Sequence, residues 1–193
     1  MEYIQWGETS ELNDKNEEIR AFHKRQSFQS KPLWYVLKRR DSAPLLLPWS
    51  VNDLYRCFLN PDNMIVGQRI YEFTPTRDTL NLNILHSIMN STITSFFIEM
   101  SARSGLGQGL LAMSVAEVEK LHIFNPAEFT SLPAIQREIG GMEFELQQKD
   151  RLELDSLLFD YIGLSTEKRA EFYLEFQKVV KNRLDKSHSV TDS

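Results

Sequence analysis

Three short segments carry the residue types that suit a surface for binding a polyanion. The first is an aromatic and basic run at residues 34–40, which a leucine- and proline-rich stretch follows at residues 43–48. The second is a polar run at residues 85–92, and the third, at residues 103–111, begins with Arg103 and contains three glycines. Arginine side chains and exposed backbone amides both attract phosphate oxygens. The pattern therefore favours a surface that holds a polyanion over a pocket that breaks a bond.

Motifs for catalysis or metal binding are absent from the sequence. There is no Asn-Pro-Pro-Tyr or Asp-Pro-Pro-Tyr and no Walker loop, and the four histidines lack metal-ligand spacing. Cys57 lies in an apolar stretch, which favours a core residue over a nucleophile. The glycine run at 105–109 is predicted to follow a helix and precede a strand, the reverse of a dinucleotide or S-adenosylmethionine loop. Two interpretations of this run remain: a helix stop, or a backbone that approaches phosphate.

Composition indicates a globular chain with its basic residues concentrated in one part. The 193 residues suffice for one domain, or one domain with a helical appendage, and the net charge of −5 argues against unselective coating of nucleic acid. Residues 30–103 contain eight basic and six acidic side chains. A single cysteine and no recognisable signal peptide predict a reducing, cytoplasmic location. The apolar stretch near residues 80–100 is too polar to span a bilayer.

Residue periodicity predicts the α+β class: a small, mostly antiparallel sheet with a long buried helix, followed by a C-terminal antiparallel helical hairpin. Strands are expected at residues 33–37, 45–49, 56–59, 64–73 and 110–115. The polar segment that precedes them is expected to contain a short helix at residues 14–25. Apolar residues recurring at three and four predict one long helix over 80–102. A short helix is expected from Ser114, and the hairpin helices are expected to begin at Pro133, stop at Gly163 and restart after Ser165.

These expectations divide the chain into four parts. Residues 1–30 form a polar N-terminal segment, residues 31–130 an α+β core, residues 131–187 the helical hairpin, and residues 188–193 a loose tail.

Several motifs occur in an order that resembles a known protein family. They are Tyr3 with Trp6-Gly7-Glu8, Trp34-Tyr35-x-Leu37-x-x-Arg40, Ala43-Pro44-x-Leu46-x-Pro48, Asn60-Pro61, Tyr71-x-Phe73-x-Pro75, Leu85-x-x-x-Met89-Asn90-Ser91-Thr92, Glu99, Arg103, Gly105-x-Gly107-x-Gly109 and Asn125-Pro126. This order is similar to the C-terminal target-recognition region of adenine-N6 DNA methyltransferases of restriction–modification systems, above all the large Type II and fused enzymes. The sequence departs from that pattern before Trp34, where Pro32 follows Lys31 and relatives often have an arginine.

The resemblance implies a DNA-binding target-recognition module of an S-adenosylmethionine (SAM)-dependent, adenine-specific methyltransferase. In that family the catalytic motif and the SAM-binding loop lie in an upstream domain, so the chain would be a fragment or one part of a split enzyme, not catalytic alone, and would bind no cofactor. Its partners would be double-stranded DNA and the catalytic domain or subunit, which flips the adenine. The implied DNA-binding residues are Trp34, Lys38, Arg39, Arg40, Arg56, Asn60, Arg69, Arg103, Gly105, Gly107 and Gln108.

Two alternatives remain at this stage. In the first, the acidic hairpin makes the chain a protein–protein interaction module that docks on a methyltransferase or endonuclease subunit. In the second, the chain is a hydrolase or another small-molecule enzyme, which requires titratable side chains clustered in a pocket.

Overall fold

The computed structural model describes residues 2–9, 33–36, 40–76, 80–104 and 109–188. The chain divides into two compact units, Met1–Asp41 and Ser42–Ser193. The predicted helix at 14–25 and the tail from residue 189 lie outside the described residues. The first unit contains helix α1 (Glu2–Thr9), and there the rings of Tyr3 and Trp6 stack with their centroids 5.5 Å apart.

Residues 33–36 form a turn, so the strand predicted at 33–37 is wrong for the part that is described. The amide of Val36 donates to the carbonyl of Leu33 at 3.2 Å, which closes the turn. The rings of Trp34 and Tyr35 meet edge to face at 5.8 Å, and Trp34 also lies 6.2 Å from Tyr3. Aromatic side chains favour strands only through packing on a sheet, and here they pack on one another.

Six short strands of the second unit form two antiparallel sheets. The first sheet has the order β3-β1-β4, and the second has the order β2-β6-β5. The strands are β1 (Leu45–Pro48), β2 (Ser50–Val51), β3 (Phe58–Leu59), β4 (Ile70–Phe73), β5 (Arg103–Ser104) and β6 (Leu111–Ala112). The α+β class with small antiparallel sheets is therefore confirmed.

Trp49 links the two sheets, because it is the single residue between β1 and β2. Its amide donates to the carbonyl of Arg69 at 2.8 Å, which continues the β1–β4 pairing, and its carbonyl accepts from Met113, which continues the β2–β6 pairing. The strand predicted at 64–73 is real only over Ile70–Phe73. Residues 60–64 are instead held in a turn by the side chain of Asn60.

The long helix predicted over 80–102 is two helices, α2 (Leu82–Met89) and α3 (Thr92–Ser101). The break falls at Asn90, whose side-chain oxygen accepts from the amide of Cys57 at 3.0 Å and whose side-chain nitrogen donates to the carbonyl of the same residue at 3.0 Å. Ser91 then caps α3 by accepting from the amide of Thr94. The apolar periodicity continues across the break, which is why the sequence pattern does not reveal it.

Helix α4 (Val115–Val118) begins after Ser114 in a capping box with Glu117, as its sequence predicts. The helix predicted to begin at Pro133 is wrong, because residues 131–141 adopt no helix. The helical part begins instead with α5 (Met142–Glu145), whose first amide donates to Asp53 at 2.8 Å.

The C-terminal hairpin consists of α6 (Lys149–Tyr161) and α7 (Thr166–His188). Gly163 ends the first helix with a φ of 70°, as predicted. Tyr173 on α7 donates to Asp155 on α6 at 3.0 Å, and Arg169 donates to Ser156. The later residue on α7 contacts the earlier residue on α6, which is the pattern of two antiparallel helices.

Three clusters of buried apolar residues form the core, and all of them lie in the second unit. The first is built around the sheets with Leu47, Ile98 and Met113, and the second joins α2 to α6 through Ile88 and Leu158. The third packs α7 against α5 and includes Leu54, Met142, Leu146, Phe176 and Val180. Among the described residues, the first cluster contains side chains of α2 and α3 but none of α6 or α7, whereas Ile139 and Tyr173 pack against both of the other clusters.

Candidate functional site

Arg69 is the predicted contact residue with the best-defined orientation. Its guanidinium carbon lies 4.4 Å from the centre of the Trp49 ring, within the range of a cation–π contact. Arg69 is exposed, and it immediately precedes β4. The contact places the guanidinium of Arg69 over Trp49, where the two sheets meet.

Arg103 lies on β5, at the edge of the second sheet. Its side chain is 69% exposed, and its Nε lies 3.0 Å from Oε1 of Glu117. The backbone and side chain of Ser114 donate to Glu117 through the capping box, and these bonds, more than Arg103, hold the pKa of Glu117 below its ordinary value. Arg103 thus has one carboxylate partner and a largely solvated side chain.

The glycine-rich segment connects β5 to β6, which are antiparallel neighbours. The residues before it form β5, so the prediction that it directly follows a helix is wrong, and the prediction that it precedes a strand is confirmed by β6. Gly109 has a φ of 68°, and an added Cβ would lie 3.0 Å from Leu184. The carbonyl of Gly109 accepts from Arg183, which also forms a buried ion pair with Glu99 at 2.8 Å.

Asn60 is buried, and its side-chain amide forms hydrogen bonds with the backbone of neighbouring segments. Its side-chain nitrogen donates to the carbonyls of Ala43 and Met64, both at 2.9 Å, and its side-chain oxygen accepts from the amide of Met64. Arg40 is exposed and belongs to the first unit, as does Trp34, whose side chain is half-buried. Five predicted contacts lie outside the described residues: Lys38, Arg39, Gly105, Gly107 and Gln108.

Arg56 lies in the wall of a cleft of about 840 Å³. Its Nη2 donates to the carbonyl of Gly140 at 2.7 Å, and its Nε is buried with no hydrogen-bond partner among the described residues. The strand β3 that follows Arg56 is at the opposite edge of its sheet from β4. Arg56 therefore lies beside the opposite edge of the first sheet from Arg69, and Arg103 lies on an edge strand of the second sheet.

His86 also lines this cleft, and sequence reasoning assigned it only a structural role. It is 7% exposed, and its Nδ1 has no partner within the described part of the chain. Burial lowers the pKa of His86, opposed by a backbone contact with Cys57. No sequence signal marks the cleft, because residues 56–59, 83–86 and 132–139 meet there only in the folded chain.

The cleft does not provide a cysteine nucleophile. Burial raises the pKa of the Cys57 thiol to about 12, so the thiol stays protonated at neutral pH. Within residues 40–76, 80–104 and 109–188 and the two shorter described segments, no group of three or more His, Cys, Asp and Glu is arranged to hold a metal ion. None of the helices in the same residues is long and apolar enough to cross a bilayer.

A scan against models of protein families gives no match for this chain, and searches of curated proteins and of solved structures give none either.

Proposed function

We propose that the chain is the DNA-binding target-recognition module of a SAM-dependent, adenine-specific DNA methyltransferase of a restriction–modification system. It acts in the cytoplasm and does not catalyse methyl transfer alone, because SAM and the catalytic motif belong to another domain or subunit. The observation that carries the proposal is the exposure of two predicted contact residues, Arg69 beside Trp49 and Arg103 at the edge of the second sheet. The order of family motifs along the sequence supports it as well.

Strand pairing sets the spacing of these two arginines. Arg103 pairs with Ala112, and Ala112 pairs with Ser50, the residue after Trp49. Neighbouring strands lie about 4.8 Å apart and consecutive Cα atoms about 3.8 Å apart, so the path from Arg103 through Ala112, Ser50 and Trp49 to Arg69 is about 18 Å long, which is the upper limit of their backbone separation. One DNA strand carries a phosphate about every 3.4 Å of axis, so about five base pairs span that distance. A single duplex is therefore long enough to meet both residues.

The ion pair of Arg103 with Glu117 does not exclude contact with DNA. The arginine side chain is 69% exposed, and ion pairs at such positions contribute about 0–1 kcal/mol. A duplex presents the arginine with several phosphodiester monoanions, whereas Glu117 provides one carboxylate. Arg69 needs no such exchange, because the partner observed for it is the face of Trp49.

The salt dependence of binding tests this function. Anisotropy of a labelled double-stranded oligonucleotide is measured from low to physiological salt, where log affinity falls against log salt by about 0.9 per neutralised phosphate. The double variant R69Q/R103Q should reduce the slope by about 1.8, since two phosphate contacts are lost. The matched control is K178Q, which removes an exposed cation from α7 that pairs only with Glu175. An affinity insensitive to salt, or a slope that the double variant leaves unchanged, contradicts the proposal.

The basic run at 38–40 provides a second arm of the same experiment. The resemblance assigns Lys38, Arg39 and Arg40 to DNA contact, so replacing all three by glutamine should lower the slope further. An unchanged slope for this triple variant would mean that residues 38–40 do not contact DNA and that the contact is made by Arg69 and Arg103.

A second candidate function is docking on a separate methyltransferase or endonuclease subunit. It is favoured by apolar side chains at the end of α6: Leu157, Tyr161 and Ile162 are each about half exposed. Mixing the chain with the polypeptide encoded beside it, followed by size-exclusion chromatography, tests this function. L157S/I162S should weaken the complex, whereas L174S, which changes an exposed leucine on α7, should not.

A further inference from the structure

The cleft beside β3 contains a cation that the fold leaves incompletely compensated. Arg56 is half-buried; its Nη2 bonds to a backbone carbonyl, its Nε has no hydrogen-bond partner, and it forms no ion pair with any described residue. A guanidinium removed from water loses solvation that a single carbonyl restores only in part. An anion bound in the cleft would supply the missing compensation.

The other charges of the cleft leave this one in excess. Arg137 also lines it, but its guanidinium is fully used by the carboxylates of Glu145 and Asp150 at 2.6–3.0 Å. Glu138 is exposed. Burial lowers the pKa of His86, so the imidazole is neutral at neutral pH and adds no second charge. The cleft therefore suits one negative charge and not two.

The remaining lining suits an apolar body. Ile135 is 4% exposed and Leu132 is half-buried, whereas Phe58 and Leu59 on β3 are exposed at 45% and 40%. The volume of about 840 Å³ lies in the range of small-molecule sites. The unpartnered Nδ1 of His86 gives one further hydrogen-bonding position.

We infer that this cleft binds a small organic monocarboxylate, whose carboxylate pairs with Arg56 and whose apolar body packs on Ile135 and Leu132. A hydroxyl or amine substituent on that body bonds to His86. This inference does not depend on the DNA-binding function, because Arg69 and Arg103 take no part in it.

The test uses sodium 3-hydroxybenzoate as the probe and the whole chain labelled with ¹⁵N. Titration at neutral pH should shift the Nε–H signal of Arg56 and the ring nitrogens of His86 and should saturate with a Kd of about 1 mM. The neutral isostere 3-hydroxybenzyl alcohol should bind at least about tenfold more weakly, since it lacks the charge-assisted hydrogen bonds. Inorganic phosphate should not saturate the same signals.

Two variants connect binding to the cleft. R56Q should weaken binding about tenfold or more, and A134W, which places a large side chain at an exposed lining position, should block it without removing the cation. R69Q is the matched control and should bind as the parent chain does. Unaltered spectra during titration, equal binding by R56Q or A134W, or equal binding of phosphate would each overturn the inference.

The outcomes separate this site from the DNA interface. R56Q should retain the salt slope for the duplex, and R69Q/R103Q should retain the Kd for 3-hydroxybenzoate. Loss of both ligands with R56Q, in a chain whose ¹⁵N spectrum remains dispersed, would mean that the cleft is part of the DNA surface and would overturn the inference of a separate carboxylate site.

Discussion

Arg137 and Arg151 converge on the carboxylate of Glu145, which is fully buried. Arg137 donates two hydrogen bonds to Glu145 and two to Asp150, and Arg151 donates to Glu145 from a side chain that is itself fully buried. Removing one partner from a buried ion pair leaves an uncompensated charge and costs about 3–5 kcal/mol. This network therefore ties residues 137–141, which are not helical, to α5 and to the start of α6.

The fall in the free energy of unfolding at acid pH depends on this network. Burial alone would raise the pKa of Glu145, but hydrogen bonds from Arg137, Gly140 and Arg151 outweigh it and bring the pKa below its ordinary value of 4.5. Hydrogen bonding from Arg137 is the main cause that holds the pKa of Asp150 below 3.8. Both groups bind protons less tightly in the folded chain, so the stability they contribute is complete above about pH 5 and is lost as pH falls through the folded pKa values.

R137M should therefore lower the free energy of unfolding at pH 7 by about 3 kcal/mol and flatten its decline between about pH 5 and pH 3. Urea unfolding followed by circular dichroism across this range measures both effects. K178Q removes an exposed pair with Glu175 and should leave the profile unchanged. An equally steep acid limb in R137M would show that other carboxyl groups cause it.

Residue type alone did not tell which arginines face solvent. Arg56, Arg69 and Arg103 were predicted on equal terms, yet the structure gives them a carbonyl, an aromatic face and an exposed carboxylate as partners. The buried role of Arg151 could not be predicted either, because its partner Asn90 lies 61 residues away in the sequence. Partners of a long cation are a property of the folded chain.

Asn90 separates two helices that would otherwise continue into one another. Its side chain accepts from the amide of Cys57 and donates to the carbonyl of Cys57, as a neighbouring strand would. It also donates to the carbonyl of His86 at 3.0 Å. The α2–α3 break therefore also satisfies the backbone of the segment that leads into β3. Loss of this side chain would leave the amide and carbonyl of Cys57 buried and unpaired.

N90A should accordingly lower the free energy of unfolding by about 2–4 kcal/mol. Equilibrium urea denaturation measures the change. N52A is the control, because Asn52 is exposed in a bend of the same unit and should alter stability by less than about 0.5 kcal/mol. A loss for N90A no larger than that of the control would mean that water replaces the amide.

Elements defined by neighbouring residues were predictable, and elements defined by distant ones were not. The capping box of Ser114 and Glu117, the stop at Gly163 and the start after Ser165 all lie within a few residues, and the structure contains each of them. The end of α2 depends on Cys57, 33 residues earlier. The start of α5 depends on Asp53, which lies 89 residues before Met142.

At the scale of the whole molecule, the core belongs to the second unit. The described members of the three apolar clusters run from Leu45 to Leu184, and residues 2–9 and 33–36 contribute none of them. The buried ionic network of Arg137, Glu145 and Arg151 lies in the same unit. Residues 42–193 thus contain the apolar contacts that stabilise their own fold.

A chain that begins at Ser42 should fold by itself. Its ¹H–¹⁵N spectrum should remain dispersed, and its thermal midpoint should lie within a few degrees of that of the parent chain, since the described residues among the first 41 contribute no side chain to the core clusters. The truncated chain that also carries N90A serves as a reference and should have a lower thermal midpoint, because its core is weakened. A collapsed spectrum for the parent truncation would show that the first 41 residues contribute to the core.

Arg183 has a consequence for the order of events during synthesis. It follows Glu99 by 84 residues and Gly109 by 74, yet it neutralises the first and bonds to the carbonyl of the second. A ribosome adds residues at about 5–20 per second, so Arg183 is synthesised several seconds after the β5–β6 hairpin. Throughout that interval Glu99 on α3 lacks the arginine that neutralises it in the folded chain, so we expect α3 and the β5–β6 hairpin to reach their final packing only after α7 has emerged.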